Sequence, residues 1–169
     1  PLNIAVKKLA GIKDSKKLNS KQLEKYYAKI SKTAAAFSVG IVENEEIDFW
    51  GIAKSCQIGM FRALANLNCK IEYLLLDANI WKSQQIPLLG NLQDSIARFC
   101  HLPHQSFIRG EDISVSIAAA SIIAKVTRDR LMLDYAKQYP DYGFARHKEY
   151  GTSLHPQNLN KFGRCTIQS

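Results

Sequence analysis

Ser116-Ile117-Ala118-Ala119-Ala120-Ser121-Ile122-Ile123-Ala124-Lys125-Val126-Thr127-Arg128-Asp129-Arg130 is the strongest helix signal in the chain. The helical pattern continues to residue 138, and the segment 116–138 is rich in alanine, isoleucine and leucine. Tyr139-Pro140 ends it, because a proline disfavours helical geometry in the residue before it. Ser121, Lys125 and Asp129 follow at four-residue intervals and share one face of that helix. Lys125 and Asp129 suit an ordinary ion pair of small energetic value. Ala118, Ala119 and Ala120 suit close packing of the helix on a sheet.

Upstream of the helix, two short apolar stretches read as strands. One lies near 107–108; the other is Tyr73-Leu74-Leu75-Leu76, a compact run that stops at Asp77. Between them the pattern predicts a loop over 84–90 around Pro87 and a helix near 92–99. Further back, a helix is expected from about 47 to 67, with Trp50, Ile58, Phe61 and Leu64 available for burial, and a short strand over 36–42. The first clear helix begins near Asn19 and Ser20, with Gln22 in capping-box spacing and an apolar stripe of Leu23, Tyr26, Tyr27 and Ile30. Strands interleaved with helices give an α/β class, with a more helical C-terminal third.

The 169 residues, 46% of them hydrophobic, fit one globular domain with a core. No run of about 18 apolar residues offers a helical membrane span. Cys56, Cys69, Cys100 and Cys165 are scattered without a Cys-x-x-Cys pair, which argues for free thiols in a reducing cytoplasm. His101, His104, His147 and His155 have no metal-ligand spacing. The net charge of +8 is uneven: residues 1–32 hold nine lysines against Asp14 and Glu24. Such a cluster suits a polyanionic partner. It equally suits a solvated helix face, since Lys21, Lys25 and Lys29 recur every four residues.

Three acids stand where chemistry could occur. Asp77 ends a buried strand, a place where open α/β sheets put functional groups and also where a turn-forming Asp is at home. Glu111 and Asp112 lie between a strand and the long helix. There they could serve the helix dipole or present oxygens to a magnesium ion. Tyr142, Phe144, His147, Lys148 and Tyr150 mix aromatic and basic groups. That mixture suits stacking on a sugar or base, and also a surface loop anchored by aromatics.

Five ordered blocks carry a family resemblance. They are Asp14-Ser15-Lys16-Lys17-Leu18, Glu46-Ile47-Asp48, Leu76-Asp77-Ala78-Asn79, the helix quoted above, and Tyr139-Pro140-Asp141-Tyr142-Gly143-Phe144-Ala145-Arg146-His147-Lys148-Glu149-Tyr150-Gly151-Thr152. Together they resemble the ribonuclease HII (type 2 ribonuclease H) family. The resemblance implies a ribonuclease H-like mixed sheet flanked by helices, with a C-terminal helical extension. It implies four carboxylates holding two Mg2+ or Mn2+ ions, and cleavage on the 5′ side of a ribonucleotide that leaves a 3′-hydroxyl and a 5′-phosphate. The implied substrates are RNA–DNA hybrids and DNA duplexes with an embedded ribonucleotide. The implied setting is a monomeric cytoplasmic enzyme of replication and repair, with no membrane partner.

By the same resemblance, Asp77 matches the third acidic ligand. Glu111 falls where the family has the aspartate of Lys-Gly-Asp, ten residues before Ser121, with Asp112 as its rival. Tyr150 matches the tyrosine that stacks near the ribose, and Lys16 and Lys148 resemble residues near substrate phosphates. Two departures stand out. Nothing matches the family's Asp-Glu-Ala-Gly-Arg-Gly motif, which supplies two ligands, and Glu149 replaces a glycine. The expectation is therefore one ribonuclease H-like domain over 1–169, truncated at both ends. As written, it would lack two metal ligands and be inactive. The alternative is a basic nucleic-acid-binding module of the same fold.

Overall fold

The computed structural model describes residues 9, 12, 18–77, 97–142 and 144. By internal contacts the chain divides into two compact units, Pro1–Ala124 and Lys125–Ser169.

In the first unit, helix α1 spans Ser20–Thr33 and starts as the sequence dictates. The Asn19 side chain accepts from the Gln22 N–H, and the Gln22 side chain accepts from the Asn19 N–H, both at 2.9 Å. A reciprocal cap of this kind stabilises a helix by about 1 kcal/mol. Leu23 and Ile30 are buried, whereas Lys21, Lys25 and Lys29 are exposed together. The lysine periodicity thus marks an exposed helix face.

Residues 36–42 correct the expectation of a strand: they carry none. Their polar groups are taken by a helix instead. The Ser38 hydroxyl donates to the Ala63 carbonyl at 2.5 Å, and Arg62 donates to the Ile41 carbonyl at 2.6 Å. The contact is close because two glycines meet; a Cβ on Gly40 would sit 1.9 Å from the Gly59 carbonyl oxygen.

The single helix expected over 47–67 is also corrected. It is two helices, α2 (Asn44–Trp50) and α3 (Ile52–Ala65). Gly51 separates them at φ 75°, a backbone region open chiefly to glycine. It closes α2 through its N–H to the Ile47 carbonyl and opens α3 through its carbonyl to the Ser55 N–H.

Helix α3 supplies the core. Ile58 and Phe61 are fully buried, and Phe61 clusters with Leu74 and Phe99, with Leu64, Leu76 and Leu102 packed around them. Each such side chain contributes about 1.5–3 kcal/mol by leaving water. Strand β1 (Leu74–Asp77) pairs in parallel with β2 (His104–Phe107), Leu74 opposite His104 and Asp77 opposite Phe107. The expected strand at 107–108 is therefore displaced upstream. Residues 97–99 are helical, as the 92–99 reading required; the rest of that reading and the 84–90 loop lie outside the described residues.

After β2 come the short helix α4 (Gly110–Ile113) and the long helix α5 (Val115–Gln138). Ile117, Ala118, Ala119, Ile122 and Ile123 of α5 are buried. Within the second unit, Lys125 and Asp129 form the anticipated ion pair at 3.3 Å, without hydrogen-bond alignment. There α5 gives way to a 3-10 turn at Pro140–Tyr142, and the Tyr142 and Phe144 rings stack with centroids 5.8 Å apart. Phe144 is buried. The architecture is α/β with helices dominant and, among the described residues, a small parallel sheet. None of the helices searched among those residues is long and apolar enough to cross a membrane.

Candidate active site at the strand ends

Strand β1 delivers Asp77 to its C-terminal end, where the carboxylate is exposed. The parallel neighbour β2 ends beside it, and the chain must then turn sharply to enter α4. It does so at Arg109, which adopts the left-handed conformation at φ 56° and ψ 47°. Such a conformation costs a non-glycine residue about 1–3 kcal/mol and clusters at functional sites. Its effect is local and visible: the next N–H, that of Gly110, donates to Asp77 Oδ1 at 2.8 Å.

Gly110 is buried, and a Cβ there would meet Ile117 Cδ1 at 2.6 Å, Asp77 Oδ1 at 3.3 Å and Phe107 Cβ at 3.3 Å. A side chain at this position would crowd the tip of Ile117, so glycine lets the backbone close on the carboxylate without moving α5. Glu111 follows directly, half-buried, and its Oε2 accepts from the Ser121 hydroxyl of α5 at 3.4 Å. That bond is long for an O–H donor.

Asp112 is treated differently. Its carboxylate is ion-paired with the Arg109 guanidinium at 2.8 Å. The Ser121 hydroxyl is thus one partner of Glu111, and the Arg109 guanidinium one partner of Asp112.

Of the residues singled out from sequence, the structure brings Asp77 and the Glu111 turn to one corner. Lys16, Lys148 and Tyr150 lie outside the described residues. The groups that sequence reasoning did not assign to the site are the Gly110 N–H and the Ser121 hydroxyl. The ten-residue spacing from Glu111 to Ser121 marks the second, because it places the serine on the helix that follows the turn. Cys56, Cys69 and Cys100 are free thiols.

The ribonuclease HII family model matches residues 3–168, nearly the whole chain. The chain belongs to the ribonuclease HII family. A ribonuclease HII of Bacillus velezensis is 43% identical over 159 residues, covering 94% of this chain and 56% of that protein. Another, from Geobacillus thermodenitrificans, is 43% identical over 155 residues, covering 92% of this chain and 53% of that protein. The chain therefore spans about half the length of the curated relatives it matches. A crystal structure of the ribonuclease H2 from Pyrococcus horikoshii OT3 superposes with a TM-score of 0.74 at 22% identity, covering 95% of this chain and 74% of that one. At that identity the likeness speaks for the fold, and the fold agrees with the ribonuclease HII family.

Proposed function

We propose that these residues belong to an endoribonuclease that cuts the RNA strand of RNA–DNA hybrids and ribonucleotides embedded in DNA. Cleavage would leave a 3′-hydroxyl and a 5′-phosphate. The observation that carries this reading is the strand-end carboxylate Asp77, closed on by Gly110 immediately before Glu111, in a chain of this family.

The donor chemistry fits a divalent ion. Asp77 and Glu111 offer oxygen only, the donor type Mg2+ and Mn2+ accept. When bound, a pair of such ions supplies Lewis acidity to the attacking water and the leaving oxygen. Asp77 and Glu111 would hold them, with Asp112 the weaker choice because Arg109 already draws its charge. Lys16 and Lys148 would neutralise substrate phosphates, and Tyr150 would stack near the ribose and help distinguish RNA from DNA. We place this activity in a monomeric, cytoplasmic protein of replication and repair whose residues 1–169 form one ribonuclease H-like domain.

Among the four acids the family resemblance implies, this sequence matches two, and that favours a second reading for the 169 residues alone. They bind nucleic acid through their basic surface but do not cut. The test is cleavage of a DNA duplex carrying one ribonucleotide, with Mg2+ and then Mn2+. The 169 residues would be compared with a polypeptide that also carries the Asp-Glu-Ala-Gly-Arg-Gly strand. Cutting 5′ to the ribonucleotide only by the longer form is the expected result. Cutting by the shorter form would mean that other acids complete the site; silence from both would leave a binding module.

A further inference from the structure

The lysines of this protein fall into two groups. Among the described residues, each lysine outside α1 has a partner within the fold. Lys70 holds Glu72 at 2.7 Å, Lys137 holds Asp134 at 2.7 Å, Lys125 faces Asp129 at 3.3 Å, and Lys54 lies over the Trp50 ring. Lys21, Lys25, Lys29 and Lys32 of α1 are exposed, and among the described residues none of them is ion-paired. At 3.6 residues per turn the four fall within about 80° of the helix circumference, opposite the buried Leu23 and Ile30. The stripe runs for about 16 Å along the axis. Glu24 is the one acid of α1, and it stands about 60° outside the stripe.

A helix face with no use but solvation gains from acids at four-residue spacing, because Glu–Lys pairs stabilise a helix there and like charges repel. Lys21, Lys25 and Lys29 take the repulsive arrangement. Charge left unanswered within the chain, at a cost to the helix, is available to an anion outside it. We infer that this stripe tracks the phosphates of duplex nucleic acid. The inference rests on the nucleic-acid reading given above and adds where the backbone is held. A duplex carries one phosphate per about 3.4 Å of axis on each strand, so about 16 Å spans about five of them. Ammonium groups on flexible stems answer phosphates as point charges and read neither base nor sugar. The stripe therefore contributes affinity and salt dependence, equally for all-DNA duplexes and for those with a ribonucleotide.

The test is binding of the 169-residue chain, over a series of salt concentrations and without divalent ion, to two fluorescent duplexes. One is all DNA and the other carries a single ribonucleotide. Lys21→Gln, Lys25→Gln, Lys29→Gln and Lys32→Gln together are expected to reduce the slope of log affinity against log salt by about 3, on both duplexes alike. The four arginine substitutions at the same positions should keep the parent slope. Lys70→Gln with Lys137→Gln, whose charges are already answered, should change it by less than about 1. The glutamine variant should melt no lower than the parent, since its substitutions relieve repulsion. No duplex binding by the parent, even at low salt, overturns the nucleic-acid reading of these residues and the inference with it. Parent binding with an unchanged slope in the glutamine variant overturns the stripe alone. So does a loss confined to the ribonucleotide duplex, a loss that the arginine variant shares, a loss matched by Lys70→Gln with Lys137→Gln, or one that comes with lower melting.

Discussion

Glu46 and Asp77 are both carboxylates at junctions of secondary structure, and they are held by opposite kinds of partner. Glu46 is gripped by both arms of Arg62, Oε1 at 2.6 Å and Oε2 at 2.7 Å, and its Oε2 also accepts from the Glu43 N–H at 3.1 Å. Arg62 in turn reaches the Ile41 carbonyl. One ion pair thereby ties α2, α3 and the extended segment 36–42 together. The hydrogen bond from Arg62 holds the Glu46 carboxyl below its ordinary value of 4.5, and the same bond raises the Arg62 pKa. Asp77 has a backbone N–H in place of a guanidinium and stands exposed at a strand end. The first acid spends its charge on building the fold; the second is the one we propose as a metal ligand.

The comparison breaks most sharply at Asp77. In a polypeptide that also carries the Asp-Glu-Ala-Gly-Arg-Gly strand, Asp77→Asn should lower kcat by about a thousandfold, since a lost ligand costs several kcal/mol of transition-state stabilisation. Melting should barely change, and a collapse in melting would make Asp77 a structural acid like Glu46. Next in size, Arg62→Ala should destabilise the fold by about 2 kcal/mol in urea titration, because it strands a partly buried carboxylate and removes the Ile41 contact. Cleavage per folded molecule should stay unchanged.

The pH dependence of stability sharpens the same contrast. The folded-state pKa of Glu46 is depressed, so its contribution is complete above about 4.5 and is lost as pH falls through the lower folded value. Between neutrality and about pH 3 the parent should lose about 1 kcal/mol more than Glu46→Gln, the modest size reflecting a pair partly open to solvent. Smallest of all, Asp112→Asn should shift stability by less than about 0.5 kcal/mol, as expected of an exposed i,i+3 pair. It should also leave cleavage intact; strong loss of cleavage would return Asp112 to the ligand set.

Local signals were the legible ones. Asn19 and Gln22 mark the start of α1 because both halves of the capping box lie within four residues, and Pro140 marks the end of α5 for the same reason. Leu74 to Asp77 reads as a strand because a short apolar run closed by an aspartate has few other uses. The break at Gly51 was not legible. A glycine within a helical pattern breaks it only when the chain needs a positive φ, and that need is set by how α2 and α3 pack. Residues 36–42 have the composition of a strand, yet their partners are Ala63 and Arg62, more than 20 residues away. At the candidate site, Asp77 and Glu111 could be placed by matching motifs. The Gly110 N–H could not, because a backbone donor leaves no mark in side-chain chemistry beyond the glycine that makes room for it.

Arg109 has a consequence for anyone who would engineer this protein. Its left-handed backbone stores about 1–3 kcal/mol that a glycine at the same position would release. A library selected for heat resistance alone should therefore drift towards Arg109→Gly, and the winners would lose the guanidinium that occupies Asp112. Asp112 would then lose one charged partner beside Glu111. Under the proposed ligand assignment, selection for robustness would then blur the choice between the two neighbouring acids, so hardier variants of this corner should also be less discriminating ones.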